Sequence, residues 1–266
     1  INGQDANNYP HLPEVESENT VELASDMLRE VIDQTRIAVS KQESRPILTG
    51  IHVTLNNGIL TAVATDSHRL AQRKVELPET ADRDFDIVLP GASMTELAKM
   101  IADEKDGVKM QITENQALFI FGNTHFYSRL LEGNYPETSR LIPESSDTRL
   151  EITASDLLAS IERASLLSHE SRNNVVKLSV NPENKIATVS GTSADVGNVE
   201  EEINADQIVG NPLEISFNPD YMRDALKSFG QTKILISFTT ALRPFTLVPT
   251  EEKANFVQLI TPVRTY

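Results

Sequence analysis

Apolar residues recur along this chain at two spacings. Val21 and Leu23, and later Leu150 and Ile152, alternate with polar neighbours, the period of a half-buried strand. Each run leads into a segment of helical spacing, with Met27, Leu28, Val31 and Ile32 in one and Leu157, Leu158 and Ile161 in the other. Ser25 and Ser155 stand where N-caps are expected. Alternating runs follow, turned at Asn56-Asn57-Gly58, a hairpin signal. Second helices are expected over Ser93 to about Asp103 and over about Pro219 to Phe229. The latter has Asn218 as cap, Pro219 at its first position and Gly230 just past its end. Ala117–Phe121, Ile234–Phe238 and Phe256–Ile260 read as further strands. The expected class is α+β, with two amphipathic helices on antiparallel sheets in each half.

The halves resemble each other in sequence. Ala24-Ser25-Asp26-Met27-Leu28 returns as Ala154-Ser155-Asp156-Leu157-Leu158, and Glu43-Ser44-Arg45 returns as Glu170-Ser171-Arg172. Val53 to Thr65 aligns with Val180 to Thr192 at a spacing of 127, and Pro90 with Leu97 matches Pro219 with Leu226 at 129. Matches in one order at a nearly constant offset predict a tandem of two like domains, 15–143 and 144–266. Asn8-Tyr9-Pro10 with Leu12-Pro13 also resembles Asn134-Tyr135-Pro136 with Leu141-Ile142-Pro143, the exit from the first domain. Residues 1–14 are therefore expected to be the remnant of a preceding domain of the same kind.

Charge complicates the choice of partner. The 266 residues hold 24 Lys+Arg against 39 Asp+Glu, a net charge of −15. Residues 1–150 hold 14 against 24, so no basic half hides behind an acidic tail, and an ordinary phosphate-gripping protein is excluded. The chain has no cysteine, which removes disulfides, thiolate metal sites and cysteine nucleophiles. It has no apolar run long enough for a membrane span, so no membrane partner and a cytoplasmic location are expected.

Enzyme chemistry finds little support. Asp66-Ser67-His68-Arg69 contains the residue types of a serine hydrolase, but strand neighbours point to opposite faces and cannot form a relay. The five histidines are scattered, and no phosphate-binding or dinucleotide-binding glycine motif occurs. No catalytic residue, metal or cofactor is expected. The C-terminal run from Phe256 reads either as a last strand with a frayed end or as an apolar tail lining a groove beside Arg243-Pro244-Phe245.

Three motifs carry a family resemblance. Thr65-Asp66-Ser67-His68-Arg69-Leu70 resembles the Thr-Asp-Gly-His-Arg-Leu run of the bacterial DNA polymerase III beta subunits, the sliding clamps. Gly133-Asn134-Tyr135-Pro136 with Arg140-Leu141 resembles their Gly-x-Phe/Tyr-Pro segment, and Leu259 to Arg264 resembles their terminal Val-x-Pro-Met/Val-Arg. Ser67 stands at a frequent glycine, Thr261 at a frequent Met, and Thr265-Tyr266 at a terminal Leu.

The resemblance implies two three-domain protomers closed head to tail around duplex DNA, opened and closed by a clamp loader. Such a ring tethers the replicative polymerase and repair proteins and catalyses nothing itself. A homodimer is implied for the full-length protein, while this chain alone is expected to be monomeric. The resemblance also implies a pocket for a Gln-Leu-x-Leu-Phe-type peptide between the last two domains. Its residues would be Leu48, Thr65, Ser67, His68, Arg69, Leu70, Pro136, Arg140, Leu141, Pro244, Leu259, Ile260, Thr261, Pro262, Val263 and Arg264.

DNA would face Arg29 and Arg36 on the first helix, Lys99 on the second, Arg163 on the third, and Arg223 and Lys227 on the fourth. Lys41, Gln42 and Arg45 match the family's DNA-touching loop. Each of these is equally readable as part of a solvated helix or loop surface. Leu166 and Leu167 match the apolar ring-closing contact or sit buried at a helix end. A clamp-fold scaffold that binds proteins without DNA is the alternative.

Overall fold

The computed structural model describes residues 3, 5–8, 19–77, 84–168, 174–251 and 255–265. The expected remnant 1–14 lies largely outside the described residues, as do Glu170-Ser171-Arg172 and Tyr266.

The first repeat runs β1 (Asn19–Ala24), α1 (Ser25–Thr35), β2 (Gly50–Asn56), β3 (Ile59–Thr65), β4 (Arg69–Glu76), β5 (Phe85–Pro90), α2 (Gly91–Met100), β6 (Gly107–Ile112), β7 (Gln116–Phe121) and β8 (Thr124–Arg129). The second runs β9 (Thr148–Thr153), α3 (Ala154–Ser168), β10 (Val176–Asn181), β11 (Ile186–Ser193), β12 (Gly197–Ile203), β13 (Gln207–Gly210), β14 (Leu213–Phe217), α4 (Pro219–Phe229), β15 (Lys233–Phe238), β16 (Phe245–Pro249) and β17 (Phe256–Ile260). The α+β expectation holds: two helices in each repeat pack on antiparallel sheets. Among the described residues no helix is long and apolar enough to cross a membrane.

The helices bury the stripes their spacing predicts. Leu28, Val31 and Ile32 of α1 enter the first core, and Met222, Ala225, Leu226 and Phe229 of α4 enter the second. Asn218 caps α4, its Oδ1 accepting the Asp220 amide at 2.8 Å, and Gly230 ends the helix with φ of 61°. Asn57 and Gly58 both have positive φ, as a tight hairpin turn requires. Two expected caps are wrong. Ser25 and Ser155 are already inside α1 and α3. Ser25 Oγ instead bonds the carbonyls of Glu104 and Asp106, tying the start of α1 to the loop before β6.

Sheet order shows how the repeats join. One sheet is β1-β6-β7-β8 and another is β12-β11-β10-β14. The third has nine strands, β13-β9-β15-β16-β17-β4-β3-β2-β5, because β17 of the second repeat pairs antiparallel with β4 of the first. Its register sets Phe256 against Arg73, Gln258 against Ala71 and Leu259 against Leu70. Strand alternation then sorts the seam onto two faces. Phe256 and Ile260 point into the second core, and Ala71 and Val75 into the first. On the opposite face Val63, Leu70 and Leu259 form a small separate cluster with Ile142.

Gln258 sits on the helix side of the seam, 2% exposed. Its Nε2 donates to the Gln34 carbonyl at 2.9 Å and to Ser228 Oγ at 3.3 Å. Gln34 lies in the last turn of α1, where carbonyls have no partner within the helix. A side chain of the second repeat therefore caps a helix of the first. Replacing Gln258 by Met, which keeps the bulk and removes the donor, is expected to cost about 1–3 kcal/mol. Urea unfolding measures this, and unchanged stability would mean that the cap contributes nothing.

Candidate functional site

The motif run 65–70 joins β3 to β4 as a tight turn. This corrects the strand geometry assumed from sequence. Asp66 Oδ1 accepts the amides of His68 at 2.9 Å and Arg69 at 3.0 Å. Thr65 Oγ1 accepts the Ser67 amide at 3.2 Å and donates to the Arg69 carbonyl at 2.7 Å. Ser67 has φ of 78°, the left-handed conformation that favours glycine. Asp66, Ser67 and His68 do not form a hydrolase relay, because the three side chains have other partners. Ser67 Oγ accepts from Arg45 Nη1 at 3.2 Å, Asp66 binds Arg69, and the His68 ring stacks over Tyr221 with centroids 6.2 Å apart.

Arg69 links the turn to the second repeat. Nε donates to Asp66 Oδ2 at 3.1 Å, Nη1 donates to Asp224 Oδ2 at 2.8 Å, and the guanidinium lies 4.6 Å from the Tyr221 ring centroid. Its side chain is 10% exposed, so it supports the site from beneath more than it faces solvent. The C-terminal segment reaches the same turn. The Thr261 amide donates to the His68 carbonyl at 2.9 Å, and the Val263 amide donates to the Ser216 carbonyl at 2.7 Å. Thr261, Pro262 and Val263 are half-buried and Arg264 is exposed. The extended tail is thus fixed to both repeats, which argues against a frayed end at residues 261–263.

The other expected pocket residues divide. Leu70 and Leu259 meet in the apolar cluster on the outer face of the sheet. Leu141, 50% exposed, lies beside Ile142 of that cluster in the chain, and Pro136 and Arg140 are exposed on the same connecting segment. Pro244 is half-buried at the start of β16. Leu48 is buried in a short 3-10 helix. Ile260, expected in the groove wall, packs into the second core instead, because it shares a strand face with Phe256 and Gln258.

Sequence reasoning missed Val63, Ile142, Tyr221, Asp224 and the pairing of Tyr135 with His52. Tyr135 was visible only as a motif letter. Its hydroxyl accepts the Thr65 amide at 3.1 Å, its ring stacks on His52 at 4.7 Å, and His52 Nε2 lies 2.7 Å from Asp86 Oδ1. Burial pushes the Tyr135 phenol up to about 12.

The helix cations expected to face DNA all have acidic neighbours. Arg36 bonds Asp33 at 2.8 Å, and Arg29 lies 3.8 Å from the same carboxylate. Lys99 pairs with Glu96 at 2.8 Å, Arg223 with Asp220 at 2.9 Å and Lys227 with Glu162 at 3.4 Å. Arg163 pairs with Glu201, which raises the guanidinium and holds the carboxyl below its usual range. Arg36 falls just past α1, in a 3-10 turn. Lys41, Gln42 and Arg45 are exposed on one loop, where Lys41 has no ion pair among the described residues. Leu166 is 70% exposed near the end of α3, and Leu167 is half-buried.

A raised phenol binds its proton more tightly in the folded protein than in the unfolded chain. The Tyr135 contribution to stability is therefore complete below the ordinary tyrosine range near 10 and is lost as pH rises towards about 12. Tyr135→Phe should flatten the decline in stability across that interval, measured by urea unfolding. An unaltered profile would contradict the buried phenol.

The family model for the DNA polymerase III beta subunit, central domain, matches residues 22–137, and that for the C-terminal domain matches 139–264. The beta sliding clamp of Bacillus subtilis is 49% identical over 266 residues, covering the whole chain and 70% of that protein. That of Streptococcus pneumoniae is 44% identical over the same span. The solved Bacillus subtilis clamp superposes with a TM-score of 0.93 at 48% identity, covering all of this chain and 69% of that one. The Streptococcus pyogenes beta subunit gives 0.94 at 41%, covering 71% of its chain. A match of both domain models in order, on a fold whose turn, connecting segment and tail converge at one seam, means that the chain belongs to the DNA polymerase III beta subunit family, the beta sliding clamps.

Proposed function

We propose that the outer face of the seam is a docking site for a short partner peptide, through which the clamp holds its polymerase. As a beta sliding clamp the protein is a DNA polymerase processivity factor that encircles duplex DNA, and it is not an enzyme. The observation that carries the docking proposal is the bond from Thr261 to the His68 carbonyl, which joins the tail to the motif turn of the other repeat. Beside it, Leu70 and Leu259 are buried in the small apolar cluster beneath the site, and Leu141 adds exposed apolar area. A peptide with Leu and Phe fills such a surface, while His68 and exposed backbone orient its polar end. The same site would serve the clamp loader and repair proteins that carry a Gln-Leu-x-Leu-Phe-type sequence.

We assign residues 15–143 and 144–266 to the two clamp domains; two separate cores, one on each side of the connecting segment, support the division. DNA would lie against the helices and the loop holding Lys41, Gln42 and Arg45. Surface ion pairs are weak, so Arg29, Arg36, Lys99, Arg163, Arg223 and Lys227 can exchange a carboxylate for a passing phosphate. Leu166 and Leu167 are assigned to ring closure in the homodimer, on the exposure of Leu166. A function on replicating DNA supports a cytoplasmic location.

Titration of a fluorescent Gln-Leu-x-Leu-Phe-type peptide tests the docking site. Saturable binding is expected, weakened at least about tenfold by deletion of residues 263–266, a loss of roughly 1.4 kcal/mol. Equal affinity in both chains would remove the tail from the site.

A further inference from the structure

Asp224 lies on α4, outside every motif that marked the site, yet its carboxylate reaches the turn at the site's centre. Arg69 Nη1 donates to it at 2.8 Å, and the same guanidinium holds Asp66 Oδ2 at 3.1 Å. Asp66 in turn holds the amides of His68 and Arg69, and the His68 carbonyl receives Thr261. An unbroken chain of bonds therefore runs from α4 through Arg69 and the turn to the C-terminal tail. Tyr221, three residues before Asp224 and so on the same helix face, lies under both Arg69 and the His68 ring.

The pair is more shielded than a solvated pair on the same helix. The Arg69 side chain is 10% exposed and Asp224 34%, whereas Lys227 of α4 and its partner Glu162 are 56% and 47% exposed. A shielded, charge-assisted bond holds geometry better than a solvated one. Arg223 also stands 4.0 Å from the Asp224 carboxylate. Without Asp224, Arg69 would lose its charged bond to α4 and keep the Tyr221 ring contact.

We propose that Asp224 is a positioning residue for the peptide site, acting through Arg69 to hold His68 at the height where the tail and a partner peptide meet it. The inference rests on the docking function proposed above. It is tested by comparing wild type, Asp224→Ala and Asp224→Glu in two measurements. One is affinity for the fluorescent Gln-Leu-x-Leu-Phe-type peptide, and the other is the NMR shifts of the His68 ring protons, which the Tyr221 ring perturbs.

Asp224→Ala should weaken the peptide by about threefold to tenfold and move the His68 resonances, with Asp224→Glu restoring both. Equal affinity in wild type and Asp224→Ala, or weaker binding with unmoved His68 resonances, would overturn the proposal. If Asp224→Ala does not fold, Asp224→Asn replaces it, and the same two outcomes decide. If wild type binds no peptide, the docking function fails. The His68 shifts then still decide the link from Asp224 to the turn, and identical shifts in all variants would overturn it.

Discussion

The pairing of β4 with β17 is the constraint on which the rest of the molecule depends. Five residue pairs, from Phe256 with Arg73 to Ile260 with Arg69, turn two repeats into one sheet. Side chains alternate along a strand, so this register decides what each face of the seam presents. It sends Phe256 and Ile260 into the second core and Gln258 to the end of α1, and it sets Leu259 beside Leu70 on the outer face. A slip of one residue would turn Leu259 towards the helices and Gln258 into the apolar cluster of Val63 and Leu70. The helix-lined side and the proposed peptide side are thus opposite faces of one sheet, each specified by the same five pairs.

Charge fits this division of labour. A net charge of −15 excludes a protein that grips phosphates, yet the family surrounds DNA. The helix cations are neutralised locally by Asp33, Glu96, Glu162, Glu201 and Asp220. If these helices face DNA as proposed, weak exposed pairs would leave a lining that meets phosphate without holding it, which suits sliding. The shielded pair of Arg69 with Asp224 joins the repeats at the proposed peptide site instead.

What was legible in the sequence was local. Helical spacing marked the buried stripes of α1, α3 and α4, and Asn218, Pro219 and Gly230 marked the limits of α4, because caps act within a few residues. Ser25 misled because a serine at a helix start can bond elsewhere, here to the carbonyls of Glu104 and Asp106. The turn at Asp66 was not legible because the Thr65 and Asp66 side chains hold it by accepting the amides of Ser67, His68 and Arg69, bonds that strand spacing does not encode. Motif resemblance located the loop, the connecting segment and the tail, but not how they touch. Gln258 with Gln34 and Arg69 with Asp224 are 224 and 155 residues apart, and no periodicity encodes such pairs.

The central claim is that the seam fixes the tail and the turn as one unit, on which a peptide then docks. Site-resolved amide hydrogen exchange at Thr261 tests it most directly. Its N–H, held by the His68 carbonyl, should exchange only through an opening of the seam and should slow further as peptide is added. Exchange at the rate of a free tail, unchanged by peptide, would contradict it.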